Sequence, residues 1–393
     1  MNELNKINSD LLNSFRQENF KGYDPFDFLN SKLFNSTPLK NIRLFRLALI
    51  QLGKHLPINI RPLIGVSKKR NPKGIALIIL GLIQNYNETK NSDFLNEALI
   101  LADWLREQRC DKSIWSHSCW GYHFDWQARS FNVPCGKPNL VSTFYVARAL
   151  YDLGTITKNE KFIDIALDSA KFISLHLYNE VNGRSFFRYI PDESTFVHNA
   201  NLMGAAWCAF VGKSLGNKIM MEQSLKAINL SVSEQTEQGA WLYGANKFHN
   251  FIDGFHTGYN LEVLSFIKDI LQTTEYDRCI QVGYSFYLKN FITKTGLAKY
   301  YNNSVYPLDS HSFSQAILTI LKVGGQNSDI ELCDNVVNQF IENMYLPKKR
   351  MFIYQKYRWF SNKINYIRWT QAWSFYSLSY YVNFKKMISN EKN

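Results

Sequence analysis

The fourteen residues HNFIDGFHTGYNLE, His249 to Glu262, hold two histidines, an aspartate, a tyrosine and a glutamate. Imidazole, carboxylate and phenol are the groups that carry protons to and from a reacting substrate. The polar groups crowd the first half and an apolar run follows, so the stretch also reads as the start of a helix. Recurrence along the chain separates the two readings. A capping residue explains one polar group per helix, not a ring of histidines and aromatics.

The pattern does recur. Apolar runs with helical spacing begin just after polar clusters at Asn71, Pro138, Val197, Phe255, Leu308 and Ile367, at intervals of 67, 59, 58, 53 and 59 residues. After most of them comes a short turn and a second stretch with apolar residues at i, i+3, i+4 and i+7 and charges on the other face, as in NSDFLNEALILADWLREQ (91–108). Asn, Ser or Thr often opens these, as an N-cap should. A similar amphipathic stretch, PLKNIRLFRLALIQLGKHL (38–56), precedes the first apolar run and supplies the sixth of its kind.

Six apolar and six amphipathic helices make six hairpins, with the apolar set inside. The expected fold is all-α, an (α/α)6 toroid, with an open solenoid of hairpins as the alternative. The expected boundaries are an N-terminal extension packing on the toroid (1–36), a single toroid domain (37–388) and a tail (389–393). The turns from apolar to amphipathic helix are short, whereas the return loops are long and aromatic. Alternation in RSFFRYI and RMFIYQKYRWF predicts short β-hairpins inside them. All these loops fall at one end, where a rigid scaffold usually carries function.

The inner-helix starts at that end share polar character: Asn139 and Thr143; His198, Asn199 and Asn201; His256 and Tyr259; Asp309, His311 and Ser312; Arg368, Trp369 and Gln371. Converging helix N-termini add partial positive charge, which suits an anion. The loops contribute Trp120, Tyr122, Asp125, Trp126, Arg129, Trp241, Tyr243, His249 and Asp253. Aromatic platforms with carboxylates and arginines suit sugars, whose C–H faces stack on rings while polar groups bond the hydroxyls.

Glycoside hydrolysis needs an acid and a carboxylate across the bond. Asp253 and Asp309 are the first pair considered, with Asp125, Asp192 and Glu262 as further candidates. Asp309 also reads as an N-cap, and Glu262, two turns into an apolar helix, needs a buried partner. Elimination or epimerisation at a uronic acid would use a His or Tyr base and a neutraliser of the carboxylate. His256, Tyr259, His311, His198 and Arg368 could serve.

The net charge of +12 favours anionic partners, although the positive charges are scattered and no nucleic-acid-binding signature is found. Six cysteines without a CxxC pair point to reduced thiols, and the loop holding Cys110, His117, Cys119, His123 and Cys135 matches no zinc spacing. No metal or cofactor is expected. The first residues lack the apolar core of a signal peptide, and the longest apolar run, GIALIILGLI (74–83), is too short to span a bilayer. A cytoplasmic location is the expectation.

The segments VHNANLMGAA, QGAWLYG and FIDGFHTGYNLE, with GYDPFDFLNS and RNPKGIAL, resemble proteins of bacterial polysaccharide-biosynthesis clusters in the six-hairpin-glycosidase-like group. The resemblance runs from about Gly22 to Tyr381. It implies a carbohydrate-active protein of cell-surface polysaccharide synthesis: a glycoside hydrolase, lyase or epimerase acting on an oligosaccharide, polysaccharide or nucleotide-sugar, acidic ones included. It transfers no catalytic assignment. A non-catalytic glycan- or protein-binding scaffold touching the synthesis proteins is one alternative. An isoprenoid-handling toroid is another, since Gln235, Gly239 and Trp241 form one QxxxGxW, but the DxDD of protonating terpene cyclases is absent.

Overall fold

The computed structural model describes residues 2–129, 131–325 and 329–391. Three helices precede the first hairpin: α1 (Asn2–Gln17), the one-turn α2 (Lys32–Asn35) and α3 (Arg43–His55). The hairpins follow: α4 (Pro72–Thr89) with α5 (Asp93–Glu107), then, after the one-turn α6 (Lys112–Trp115), α7 (Leu140–Thr157) with α8 (Glu160–Phe172). Next come α9 (His198–Leu215) with α10 (Lys218–Ser233), α11 (Gly254–Leu271) with α12 (Asp277–Phe291), and α13 (Ser310–Val323) with α14 (Ile330–Met344). The final inner helix is α15 (Ala372–Glu391), entered through a π-helical turn, Ile367–Gln371.

Each inner helix packs on the next, and α15 packs back on α4, so the ring closes into the (α/α)6 toroid. The inner helices are apolar nearly all round because they are covered on both sides, by the axis and by the outer helices. Lys90, Lys158, Gly216 and Gln272 end four of them in the left-handed conformation, which turns the chain sharply into the outer partner.

One pairing differs from the sequence reading. The sixth outer position is filled by α1, not by residues 38–56. Its Leu4, Ile7, Leu11, Leu12 and Phe15 are buried, and Phe15 meets Phe375 of α15 edge-on at 5.7 Å. Arg16 clasps Glu97 of α5 with two 2.8 Å bonds, while Asp10 faces Arg350 (3.7 Å) just past α14. α1 therefore sits between the first and fifth outer helices. α3 instead lies across the loop end of the toroid, with only Ile50 and Gly53 buried. Gly53 is required there, because a Cβ would come within 2.6 Å of the Phe28 ring. The periodicity of 38–56 was genuine; it does not say which surface the helix covers.

The long loops carry five antiparallel hairpins. They are β1 (Trp126–Gln127) with β2 (Asn132–Val133), β3 (Tyr178–Val181) with β4 (Arg184–Phe187), β5 (Lys299–Tyr301) with β6 (Ser304–Asp309), β7 (Tyr345–Leu346) with β8 (Met351–Phe352), and β9 (Gln355–Lys356) with β10 (Ser361–Asn362). A four-stranded sheet in the order β10-β9-β6-β5 joins two of them and sets Asp309 opposite Gln355. The QxxxGxW segment is structural here. Gln235 Nε2 donates to Cys279 O at 3.0 Å, and Gly239, at φ +93°, lies so close to the α12 backbone that a Cβ would sit 2.4 Å from Val282 O.

Because α1 completes the outer layer, Phe15→Ala should cost about 3–5 kcal/mol of unfolding free energy, as for other buried phenylalanines. Urea denaturation checks this; a loss below about 1 kcal/mol would make α1 an appendage.

Candidate functional site

The inner-helix starts are built from N-caps. Asn71 accepts from Gly74 N (3.2 Å), Asn139 from Ser142 N (2.8 Å), Asp253 from His256 N (2.8 Å) and Asp309 from His311 N (2.9 Å). The second residue beyond the cap then lies towards the axis: Lys73 on α4, Phe255 on α11 and His311 on α13, with Arg368 in the corresponding place of the π-helical turn.

His311 is stacked between Phe255 (4.9 Å) and Trp373 (4.6 Å), and its Nε2 bonds the hydroxyl of Tyr259. Its Nδ1 has no partner. Burial holds this imidazole well below its ordinary pKa, and the charges of Lys73 and Arg368 push the same way. Burial and Glu262 raise the Tyr259 phenol. A neutral phenol and a neutral imidazole therefore share this hydrogen bond. Beside them Lys73 Nζ lies over the rings of Tyr145 (4.6 Å), Trp373 (5.2 Å) and Tyr259 (5.6 Å), and the nearby Asp24 carboxylate is paired with Arg368 instead. Burial, and then Arg368, lowers its pKa well below that of a free lysine. Arg368 is clamped by Asp24 through bonds of 2.6 and 2.8 Å.

Asp253 Oδ2 bonds Nδ1 of His256 at 2.7 Å, with the imidazole side chain 22 % exposed. The other nitrogen, Nε2, is left for a ligand. Tyr243 stands beside His256 (4.5 Å), and His249 meets Tyr243 edge-on (4.9 Å). Trp126 packs on Phe26 (6.1 Å) and Tyr189 (5.7 Å), Trp369 on Phe26 (5.4 Å) and His311 (4.8 Å), and the hydroxyls of Tyr122 and Tyr189 bond at 2.7 Å. From above, α3 brings Lys54 over Phe26 (6.0 Å). Its pKa is lowered by burial, which Asp309 and Asp253 oppose.

The structure thus gathers Asp253, His256, Tyr259, His311, Arg368, Trp369, Tyr122, Trp126, Tyr243 and His249 at the axis and its rim. Others lie elsewhere. Asp309 is fully buried, with Oδ1 taken by the helix cap and Oδ2 by Gln355 Nε2 (2.8 Å); burial pushes it up to about 6. Glu262 has the partners its depth demands, Lys322 and Gln315. Trp120 donates to Leu105 O (2.7 Å), Trp241 to Ser231 O (2.9 Å) and Asn201 to Ala227 O (2.7 Å), all within the walls. His198 meets Ser231 Oγ (3.1 Å), and Asn199 is buried with its Oδ1 unpartnered. Asp125 braces its loop through Cys135 N (2.7 Å), and Arg129 is exposed.

Sequence reasoning missed Lys73, Asp24, Lys54 and Tyr145. Aligning the helices by their caps would have found two of them, since Lys73 follows Asn71 as His311 follows Asp309, and Tyr145 follows Asn139 as Tyr259 follows Asp253. Among the described residues, no three His, Cys, Asp or Glu come together as a metal set. None of the described helices is long and apolar enough to cross a membrane.

No family model matches the chain, and no curated protein matches it. Solved structures do match. Cellobiose 2-epimerase from Bacillus thermoamylovorans is 11% identical, with a TM-score of 0.62 over 81% of this chain and 90% of that one. A GH76 alpha-mannanase from Bacteroides thetaiotaomicron is also 11% identical, at 0.62 over 83% and 89%. An unsaturated glucuronyl hydrolase specific for heparin is 8% identical, at 0.60 over 81% and 88%. The fold is therefore that of the six-hairpin-glycosidase-like toroids.

Burial, with Arg184 second, lowers the His198 imidazole to about 3. Its folded-state pKa thus lies below the unfolded value of about 6.5, so its contribution is complete above pH 6.5 and is lost as pH falls towards 3. In His198→Asn the decline of the thermal midpoint between pH 6.5 and 4 should be shallower than in the wild type. Parallel declines in a pH series of melts would contradict this.

Proposed function

We propose that this protein is a carbohydrate-active enzyme that moves protons at a carbon of an acidic sugar, in epimerisation or elimination. The observation that carries the reading is the Asp253–His256 dyad. A buried carboxylate fixes one nitrogen of a partly exposed imidazole, beside the neutral His311 imidazole paired with a phenol. His256 Nε2 takes the proton from a C–H next to a carboxylate or carbonyl, and Asp253 stabilises the imidazolium that forms. The electron pair of that bond moves onto the neighbouring oxygen as an enolate. Arg368, Lys73 and the converging helix N-termini favour that negative charge. Return of a proton to the other face of the carbon completes an epimerisation. Loss of the β-oxygen substituent, protonated from the Tyr259–His311 side, completes an elimination.

Hydrolysis by two carboxylates is the weaker reading, because both oxygens of Asp309 are already engaged. An isoprenoid site is also disfavoured by the Arg368–Asp24 ion pair and the polar Lys73 head on the axis. The names of the neighbouring structures, an epimerase, a mannanase and a glucuronyl hydrolase, support the substrate class. A place in cell-surface polysaccharide synthesis in the cytoplasm, on an oligosaccharide, polysaccharide or nucleotide-sugar and in contact with other synthesis proteins, rests on the residue resemblance.

Incubation with uronic-acid oligosaccharides and reducing disaccharides in heavy water, followed by mass spectrometry, tests the reading. One deuterium at carbon without cleavage, or cleavage leaving an unsaturated end, is expected. His256→Asn should lower the rate by about 10²–10⁴, and Asp253→Asn, which retains a capping oxygen, should lower it without unfolding the protein. Cleavage with addition of solvent would overturn proton transfer at carbon, and no change in any sugar would favour a glycan-binding scaffold.

A further inference from the structure

The positive charges are scattered along this chain, but the acidic ones are not. Between Asp27 and Glu88, and again between Glu342 and Glu391, there is no Asp or Glu. These two stretches hold 19 of the 45 Lys and Arg, leaving 26 against all 33 acidic residues on the rest of the chain, a net −7. In the fold they meet. Asn362 Nδ2 donates to Leu56 O (3.1 Å), Tyr366 Oη to Gly53 O (3.3 Å), and Tyr357 Oη lies 3.5 Å from His55 Nδ1. Leu33 N donates to Ile64 O (3.4 Å), which ties α2 and the 57–66 loop into the same surface.

That surface is also where large apolar side chains stand in solvent. Leu44 is 72 %, Leu63 84 % and Trp359 85 % exposed, with Leu33, Phe45 and Leu52 beside them. Leu44, Ala48 and Leu52 are spaced i, i+4, i+8, so they form the outer stripe of α3. Lys32, Lys40, Arg43, Arg358 and Lys363 are exposed among them, and the Arg358 guanidinium lies 5.0 Å from the Trp359 ring centroid. A single exposed leucine means nothing, but a group of them among cations, all from stretches without an acidic residue, does.

We propose that this face, formed by α2, α3, the 57–66 loop and the β9–β10 hairpin, docks on an anionic lipid bilayer. Trp, Phe and Leu enter the headgroup boundary while Lys and Arg reach the phosphates around them, the pattern of an interfacial helix. A second copy of the chain fits poorly, because it would bring the same positive field against itself. An acidic protein satisfies the charge but does not need Trp359, Leu44 and Leu63 to protrude singly from three separate segments. The docked face overlies the loop end of the toroid, where Lys54 of α3 sits above Phe26, so docking would set that end against the bilayer. The proposal does not depend on the reaction assigned to that site.

Flotation of the intact protein with vesicles tests it. The protein should float with phosphatidylcholine–phosphatidylglycerol vesicles, not with phosphatidylcholine alone, and raised salt should release much of it. Leu44→Ser combined with Leu63→Ser and Trp359→Ser should weaken binding by about tenfold or more, as should Lys32→Gln with Arg358→Gln and Lys363→Gln. All six side chains are exposed, so the melting temperature should stay close to that of the wild type. No flotation with either vesicle would overturn the proposal and point to an acidic protein partner. Equal flotation with both, or unchanged binding by folded variants, would overturn it as well.

Discussion

Lys73 and Arg368 share the axis of the toroid, and Asp24 is the carboxylate that both feel. An unpaired ionised group in such a place costs several kcal/mol, and much of that is met by shifting protonation. Arg368 remains charged because Asp24 offsets the cost of burial. Lys73 has three aromatic faces around it instead of a bonded carboxylate, and its pKa drops. Burial keeps His311, next to both, neutral, with their charges pushing the same way, and its Nε2 shares a hydrogen bond with the Tyr259 hydroxyl. A positive bias at the axis thus adds to burial in setting the protonation of these groups.

The scaffold supplies the bias through its geometry. Six inner helices in a closed ring point their N-termini at one end, and each start is tied by a cap or by strand pairing. The same caps decide which side chains face inward. Asp253 both caps α11 and orients His256, whereas Asp309 caps α13, bonds Gln355 on β9 and has no oxygen left. Two aspartates at matching positions thus have different chemistry because only one has a histidine three residues on.

The ring itself was legible in the sequence. The repeat of apolar and amphipathic runs, the hairpin count and the strands in RSFFRYI follow from periodicity, which local residues control. The identity of the sixth outer helix was not legible, because α1 and α3 are both amphipathic and only packing against α15 distinguishes them. Within the site, His256, Tyr259, His311 and Arg368 could be found because their types are unexpected at a helix start. Lys73 was overlooked inside RNPKGIAL, where a lysine before a long apolar helix looks like a solvated end. Trp120, Trp241 and Asn201 were drawn in by type alone, although each satisfies a backbone group inside the walls.

The claim that buried positive charge on the axis selects an acidic sugar can be measured directly. Calorimetric titration of the intact protein would compare a reducing disaccharide with its uronic-acid counterpart, in the wild type and in Lys73→Met, which keeps the bulk of the side chain but cannot hold the proton that a bound carboxylate would favour on Lys73. The account predicts that the wild type prefers the uronate by about tenfold, a coupling of roughly 1.4 kcal/mol, and that Lys73→Met loses most of that preference while retaining the neutral sugar. Equal affinity for the two sugars in the wild type, or an undiminished preference in the variant, would contradict it.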